Sequence, residues 1–178
     1  MARRTGVYIV PTSRWYIERA VWLIAGVVLL ASTALALWVN KYFALLIVCT
    51  GVASIIVALT GFCIVGNVLH RLGFPNMLGD PTQTTWYLMR RDKWYLERRI
   101  YLVVGINISV ASILSIVWTQ WWLAFTGFVG VAMVWFAATG FCIMANGLFW
   151  LGAEPRLAPD ASKGESKPVM GGQPSPVR

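Results

Sequence analysis

Charge is the scarcest property of this chain. Asp, Glu, Lys and Arg make up 12 % of its 178 residues, about half the share found in ordinary soluble domains. A globule of this length would have too few ionic groups to cover its surface, which excludes a soluble enzyme of standard build. Cysteine is sparse too: three residues, an odd number spread along the chain, make no disulfide framework and exclude a stapled secreted module. The 58 % hydrophobic content excludes a disordered protein. An integral membrane protein remains.

Four apolar runs are present. They extend over Ala20–Val39, Tyr42–Leu69, Ile100–Trp118 and Trp121–Leu151. A bilayer core about 30 Å thick needs roughly 20 helical residues, and four such segments cannot close a barrel. The second and fourth exceed that length, which predicts tilt or an extension into the headgroup layer. Arg3, Arg4, Arg14 and the Ala34-Leu35-Ala36 triplet imitate a cleavable leader. The polar lead before Ala20 is long, however, and the repeat described next needs this helix, so it is read as a retained span.

Orientation follows from the basic residues. Arg3, Arg4, Arg14 and Arg19 precede the first span; Arg71, Arg90, Arg91, Lys93, Arg98 and Arg99 lie between the second and third; Arg156, Lys163, Lys167 and Arg178 follow the fourth. Only Lys41 falls on the other side. The positive-inside rule puts both termini and the middle loop in the cytoplasm. The net charge of +8 is then a membrane-surface feature rather than a nucleic-acid footprint.

The chain is also a repeat. Residues 14–73 and 93–152 align without a gap at an offset of 79. Arg14-Trp15-Tyr16-Ile17-Glu18-Arg19 matches Lys93-Trp94-Tyr95-Leu96-Glu97-Arg98, Gly26 matches Gly105, and Gly51 matches Gly130. Thr60-Gly61-Phe62-Cys63-Ile64 matches Thr139-Gly140-Phe141-Cys142-Ile143, with Asn67 matching Asn146. Each copy has two spans, so both insert the same way round. The expected fold is all-α: four transmembrane helices as two tandem hairpins, related by a pseudo-twofold axis along the membrane normal. The divisions are a 1–13 cytoplasmic arm, repeats over 14–73 and 93–152, a 74–92 loop, and a 153–178 tail rich in Pro, Gly, Ser and Lys. The loop is too short for a catalytic domain. The tail is expected to be disordered or ordered by a partner.

Trp-Tyr-x-Glu-Arg before each first span predicts a short interfacial helix. Arg14, Trp15, Tyr16, Arg19, Arg91, Trp94, Tyr95, Arg98 and Arg99 are its lipid anchors, with docking of anionic headgroups or a partner as the alternative. Glu18 is expected to pair with Arg14 at i−4. No Asp, Glu, Lys, Arg or His falls inside the four runs, which argues against a pump or proton relay. Thr50/Ser54/Ala58, Asn107/Ala111/Ser115 and Thr126/Gly130 read as helix-contact ridges, or else as a small polar lining.

Cys63 and Cys142 occupy equivalent positions. They suit packing, or thiol and sulfur chemistry. Cys49 faces Phe128 in the alignment and reads as packing. His70 is the sole histidine; it could hold a haem or pigment, but Phe149 stands at its counterpart, so an interfacial histidine is preferred. No catalytic residue, metal or cofactor is expected.

The repeated Thr-Gly-Phe-Cys at the end of a hairpin, opened by aromatic-Glu-Arg, resembles the YgaP-like transmembrane domain, a bacterial family of small membrane units associated with rhodaneses. Ile64 and Ile143 stand where that family commonly has proline. The resemblance implies a two-helix unit that associates with another copy in the bacterial inner membrane, here with both copies fused. It leads to a non-catalytic accessory subunit, packed with itself or with other membrane subunits.

Overall fold

The computed structural model describes residues 6–80 and 85–158. The chain is an all-α membrane protein with four helices long and apolar enough to cross a bilayer. They are α1 (Ile17–Trp38), α2 (Ala44–Thr60), α4 (Leu96–Val117) and α5 (Trp122–Thr139). Two short helices, α3 (Ile64–Arg71) and α6 (Ile143–Trp150), follow α2 and α5.

The second and fourth apolar runs are therefore not single helices. Gly61 and Gly140 end α2 and α5 in the left-handed conformation, with φ of 75° and 74°. A side chain is strained there, and any Cβ would lie 2.4 Å from the Met89 carbonyl oxygen or 2.3 Å from that of Val10. The excess length becomes α3 and α6. Among the described residues, no helix leads directly into the first or third span: Tyr16 and Tyr95 are extended, and α1 and α4 begin one residue later. The short helices thus follow the second and fourth spans instead of leading into the first and third.

Sequence neighbours are not the closest packing partners. α1 packs chiefly on α5, and α2 on α4, so each spanning helix of one copy lies along a spanning helix of the other. Glycine makes this possible. A Cβ on Gly51 would stand 2.8 Å from the Gly105 carbonyl oxygen, and one on Gly26 would stand 3.0 Å from that of Gly130. These two crossings are symmetry mates, since Gly26 corresponds to Gly105 and Gly130 to Gly51. Small residues at a crossing let backbones approach closely, which drives helix association in lipid. Thr33 and Thr126 add a hydroxyl pair at 3.2 Å between α1 and α5. Of the expected ridges, Ala58, Ala111, Ser115, Thr126 and Gly130 are buried, Thr50 and Ser54 are half-buried, and Asn107 is exposed instead.

Packed structure also extends past the expected repeat boundaries. Tyr8, Leu78, Tyr87 and Leu157 are all buried, two inside the 1–13 arm and the 153–178 tail and two inside the 74–92 loop. Tyr8 and Tyr87, like Leu78 and Leu157, are 79 residues apart. The structural repeat thus takes in residues on both sides of the helical hairpins. Arg3, Arg4 and the tail from residue 159 onward lie outside the described residues.

Candidate functional site

The repeated motif builds two equivalent polar locks at the end of the bundle where α1 and α4 begin. In the first, the turn after α2 opens a gap in the backbone ladder. Thr60 Oγ1 donates to the Ile56 carbonyl and accepts from Phe62 N, and Gly61 turns the chain. An extended strap from the second copy then fills the gap. Met89 N donates to the Gly61 carbonyl at 2.8 Å. Asn67 clamps the strap with both ends of its carboxamide: Oδ1 accepts from Tyr87 N at 2.9 Å, while Nδ2 donates to the Tyr87 carbonyl at 3.0 Å. The same Nδ2 donates to the Cys63 carbonyl.

The second lock repeats this with the copies exchanged. Val10 N donates to the Gly140 carbonyl at 3.0 Å, and Asn146 holds Tyr8 through its backbone N–H and carbonyl at 2.7 and 3.0 Å. Each copy thus supplies the strap that closes the other. An amide side chain is suited to this because it offers a donor and an acceptor in one plane, as a β-ladder does.

Glu18 and Glu97 sit beneath the straps, each with 0 % exposure. Glu18 accepts from Leu78 N at 2.6 Å, from Met77 N, and from the Tyr87 hydroxyl at 3.0 Å. Glu97 accepts from Leu157 N at 2.8 Å, from Arg156 N, and from the Tyr8 hydroxyl at 2.8 Å. A buried carboxylate needs several strong donors to offset lost hydration, and three converge here. The Glu18–Arg14 pair expected from i−4 spacing does not form. Burial first, and the neighbouring carboxylate second, push the Tyr8 and Tyr87 phenols well above their ordinary range.

Arg19 and Arg98 turn inward as well. Arg19 donates to the Ala137 and Ala138 carbonyls at the end of α5, and to Thr12 and Arg14 of the strap. Its guanidinium lies 4.2 Å over the Trp15 ring. Arg98 does the same for the Ala58 and Leu59 carbonyls of α2 and for Arg91, stacked 4.0 Å over Trp94. A cation at a helix C-terminus satisfies orphan carbonyls and the helix dipole together.

The expected anchor set therefore divides. Arg14, Trp15, Arg91, Trp94 and Arg99 are exposed, whereas Tyr16, Arg19, Tyr95 and Arg98 are buried. Of the inward-turned members, Arg19, Arg98 and Tyr95 bind protein backbone in place of lipid headgroups. Asp92 forms an ion pair with Arg156, which holds its exposed carboxyl below the usual range.

Cys63 and Cys142 lie in the breaks of their own repeats, and all three cysteines are free. The Cys63 sulfur accepts from Gly66 N at 3.2 Å as the cap of α3, and burial pushes its thiol up. Cys142 is half-buried and makes no such bond. Cys49 is exposed on α2. His70 lies half-buried in the last turn of α3, and its carbonyl accepts from Gly73 N. Among the described residues, no three His, Cys, Asp or Glu side chains gather where a metal could be held.

Tyr8 and Tyr87 escaped the sequence analysis, which aligned Glu18 with Glu97 and Asn67 with Asn146 without joining them to the tyrosines. The signal that reveals the two tyrosines is the 79-residue offset, continued to the residues before 14 and 93. No known protein family, curated protein or solved structure matches this chain.

Proposed function

We propose that this chain is a non-catalytic integral membrane protein, an internal pseudo-dimer serving as an accessory or scaffolding subunit of the bacterial inner membrane. Both termini and the middle loop are cytoplasmic in this reading, as the lysine and arginine asymmetry argues. The observation that carries it is how the repeated polar residues are used. Glu18, Arg19, Asn67 and their counterparts all bind the protein's own backbone. Along the spans and short helices the exposed side chains are mostly apolar and aromatic, Trp38, Phe128, Trp135 and Ile143 among them. Such a surface meets lipid or another subunit. Its likeness to the YgaP-like unit, which pairs with a second copy, agrees with the exchanged packing.

Chemistry at the paired cysteines has less support, because the Cys63 sulfur already accepts a hydrogen bond and its thiol is hard to ionise. Extraction from native membranes in mild detergent, followed by cross-linking and mass spectrometry, tests the proposal. A defined oligomer or a reproducible set of membrane partners is expected. A lone monomer in intact membranes overturns it.

A further inference from the structure

The two copies differ along one groove. An apolar cavity of about 530 Å³ opens between α4 and α5. Ile100, Val103, Val104 and Asn107 form its wall on α4, at the i, i+3, i+4, i+7 spacing of a single helix face. Phe125, Phe128 and Trp135 line it from α5, where the first copy has Leu46, Cys49 and Ile56. Asn107 replaces Val28. The second copy has thus gained aromatic faces and one carboxamide at positions that are aliphatic or small in the first.

Asn107 is the telling residue. It stands eleven positions into α4, about 16 Å along the axis and near the middle of a 30 Å hydrocarbon layer. Its Nδ2 donates to the Val103 carbonyl at 2.8 Å, which leaves the second Nδ2 hydrogen and Oδ1 unpartnered among the described residues. Trp22, which lines the groove from α1, is 3 % exposed and packs with its ring centroid 4.4 Å from that of Phe136. A polar group left unpaired in hydrocarbon is costly, so the site suits an occupant that brings oxygen to this depth. A phospholipid does not, because its ester groups stay at the interface.

We infer that this groove binds a bilayer-soluble ring compound of the lipophilic quinone kind, with a ring oxygen at Asn107 and the body between the aromatic side chains. The carboxamide can donate to a ring carbonyl or accept from a ring hydroxyl, and flat aromatic walls favour a flat ring. The cavity volume lies within the range of sites for such molecules.

The full chain in nanodiscs of phosphatidylethanolamine and phosphatidylglycerol, titrated with decylubiquinone, provides the test. Tryptophan quenching is expected to saturate, above the linear response of tryptophan-labelled control nanodiscs. Asn107→Val, which installs the residue of the first copy, weakens the affinity roughly tenfold, as loss of one or two hydrogen bonds in an apolar site requires. Ala132→Phe fills the groove and abolishes saturation, while Val28→Asn leaves it unchanged. Circular dichroism melting checks that each variant is folded. Non-saturating quenching of the parent chain, or equal affinity in Asn107→Val, overturns the inference.

Discussion

Glu18 and Glu97 each hold two backbone N–H groups and a phenol in a space closed to solvent, so neither can be truncated cheaply. Glu97→Ala orphans three donors, and at ~1–3 kcal/mol each the loss is about 3 kcal/mol or more. Glu18→Ala should match it, because the locks are equivalent; thermal unfolding in detergent measures both. The phenols respond to pH in a definite direction. Tyr8 and Tyr87 hold their protons more tightly when folded than the ordinary value near 10 allows. Their contribution is complete below about pH 10 and is lost as pH rises further. Melting midpoints between pH 8 and 11 should fall more steeply for the parent chain than for the Tyr8→Phe/Tyr87→Phe variant. Asp92 works in the opposite sense. Its lowered carboxyl favours the folded state above about pH 4, and that share fades on acidification.

Between helices, the decisive quantity is how near two backbones come. Gly51→Ala places a methyl 2.2 Å from Ser109 Oγ and 2.8 Å from the Gly105 carbonyl oxygen, so α2 and α4 must separate. A loss of about 1–3 kcal/mol is expected. Gly147→Ala in α6 meets nothing within 4 Å and removes a flexible helix residue, so it should stabilise by up to about 1 kcal/mol. Chemical unfolding of the two variants side by side separates crowding from propensity. The glycine positions were legible as repeat matches, yet their pairing was not. Periodicity shows that Gly26 and Gly105 are equivalent; it does not show that Gly26 meets Gly130. The same gap explains Arg19 and Arg98. Their place beside Trp and Tyr suits an interface, and only the ends of α5 and α2 reveal why they turn inward.

Over the whole molecule, the four spans and the all-helical class could be read directly, because hydrocarbon allows few alternatives. The repeat boundaries could not, since outside residues 14–73 the copies share few identities and hydropathy says nothing about an extended strap. Topology offers a clear test. Asn40→Cys, at the turn between α1 and α2, and Lys93→Cys, before α4, should react with an impermeant thiol reagent from opposite faces of the membrane. Labelling of both from one face would refute the proposed orientation.

The exchange of straps sets an order on biosynthesis. The site that receives Tyr87 must wait for a segment translated after α3, while Tyr8, made before α1, has no partner until Asn146 and Glu97 exist. Neither half can finish folding on its own during translation. A nascent chain stopped after α3 would expose the open gap beside Asn67, ready to accept the Tyr8 strap of another unfinished chain.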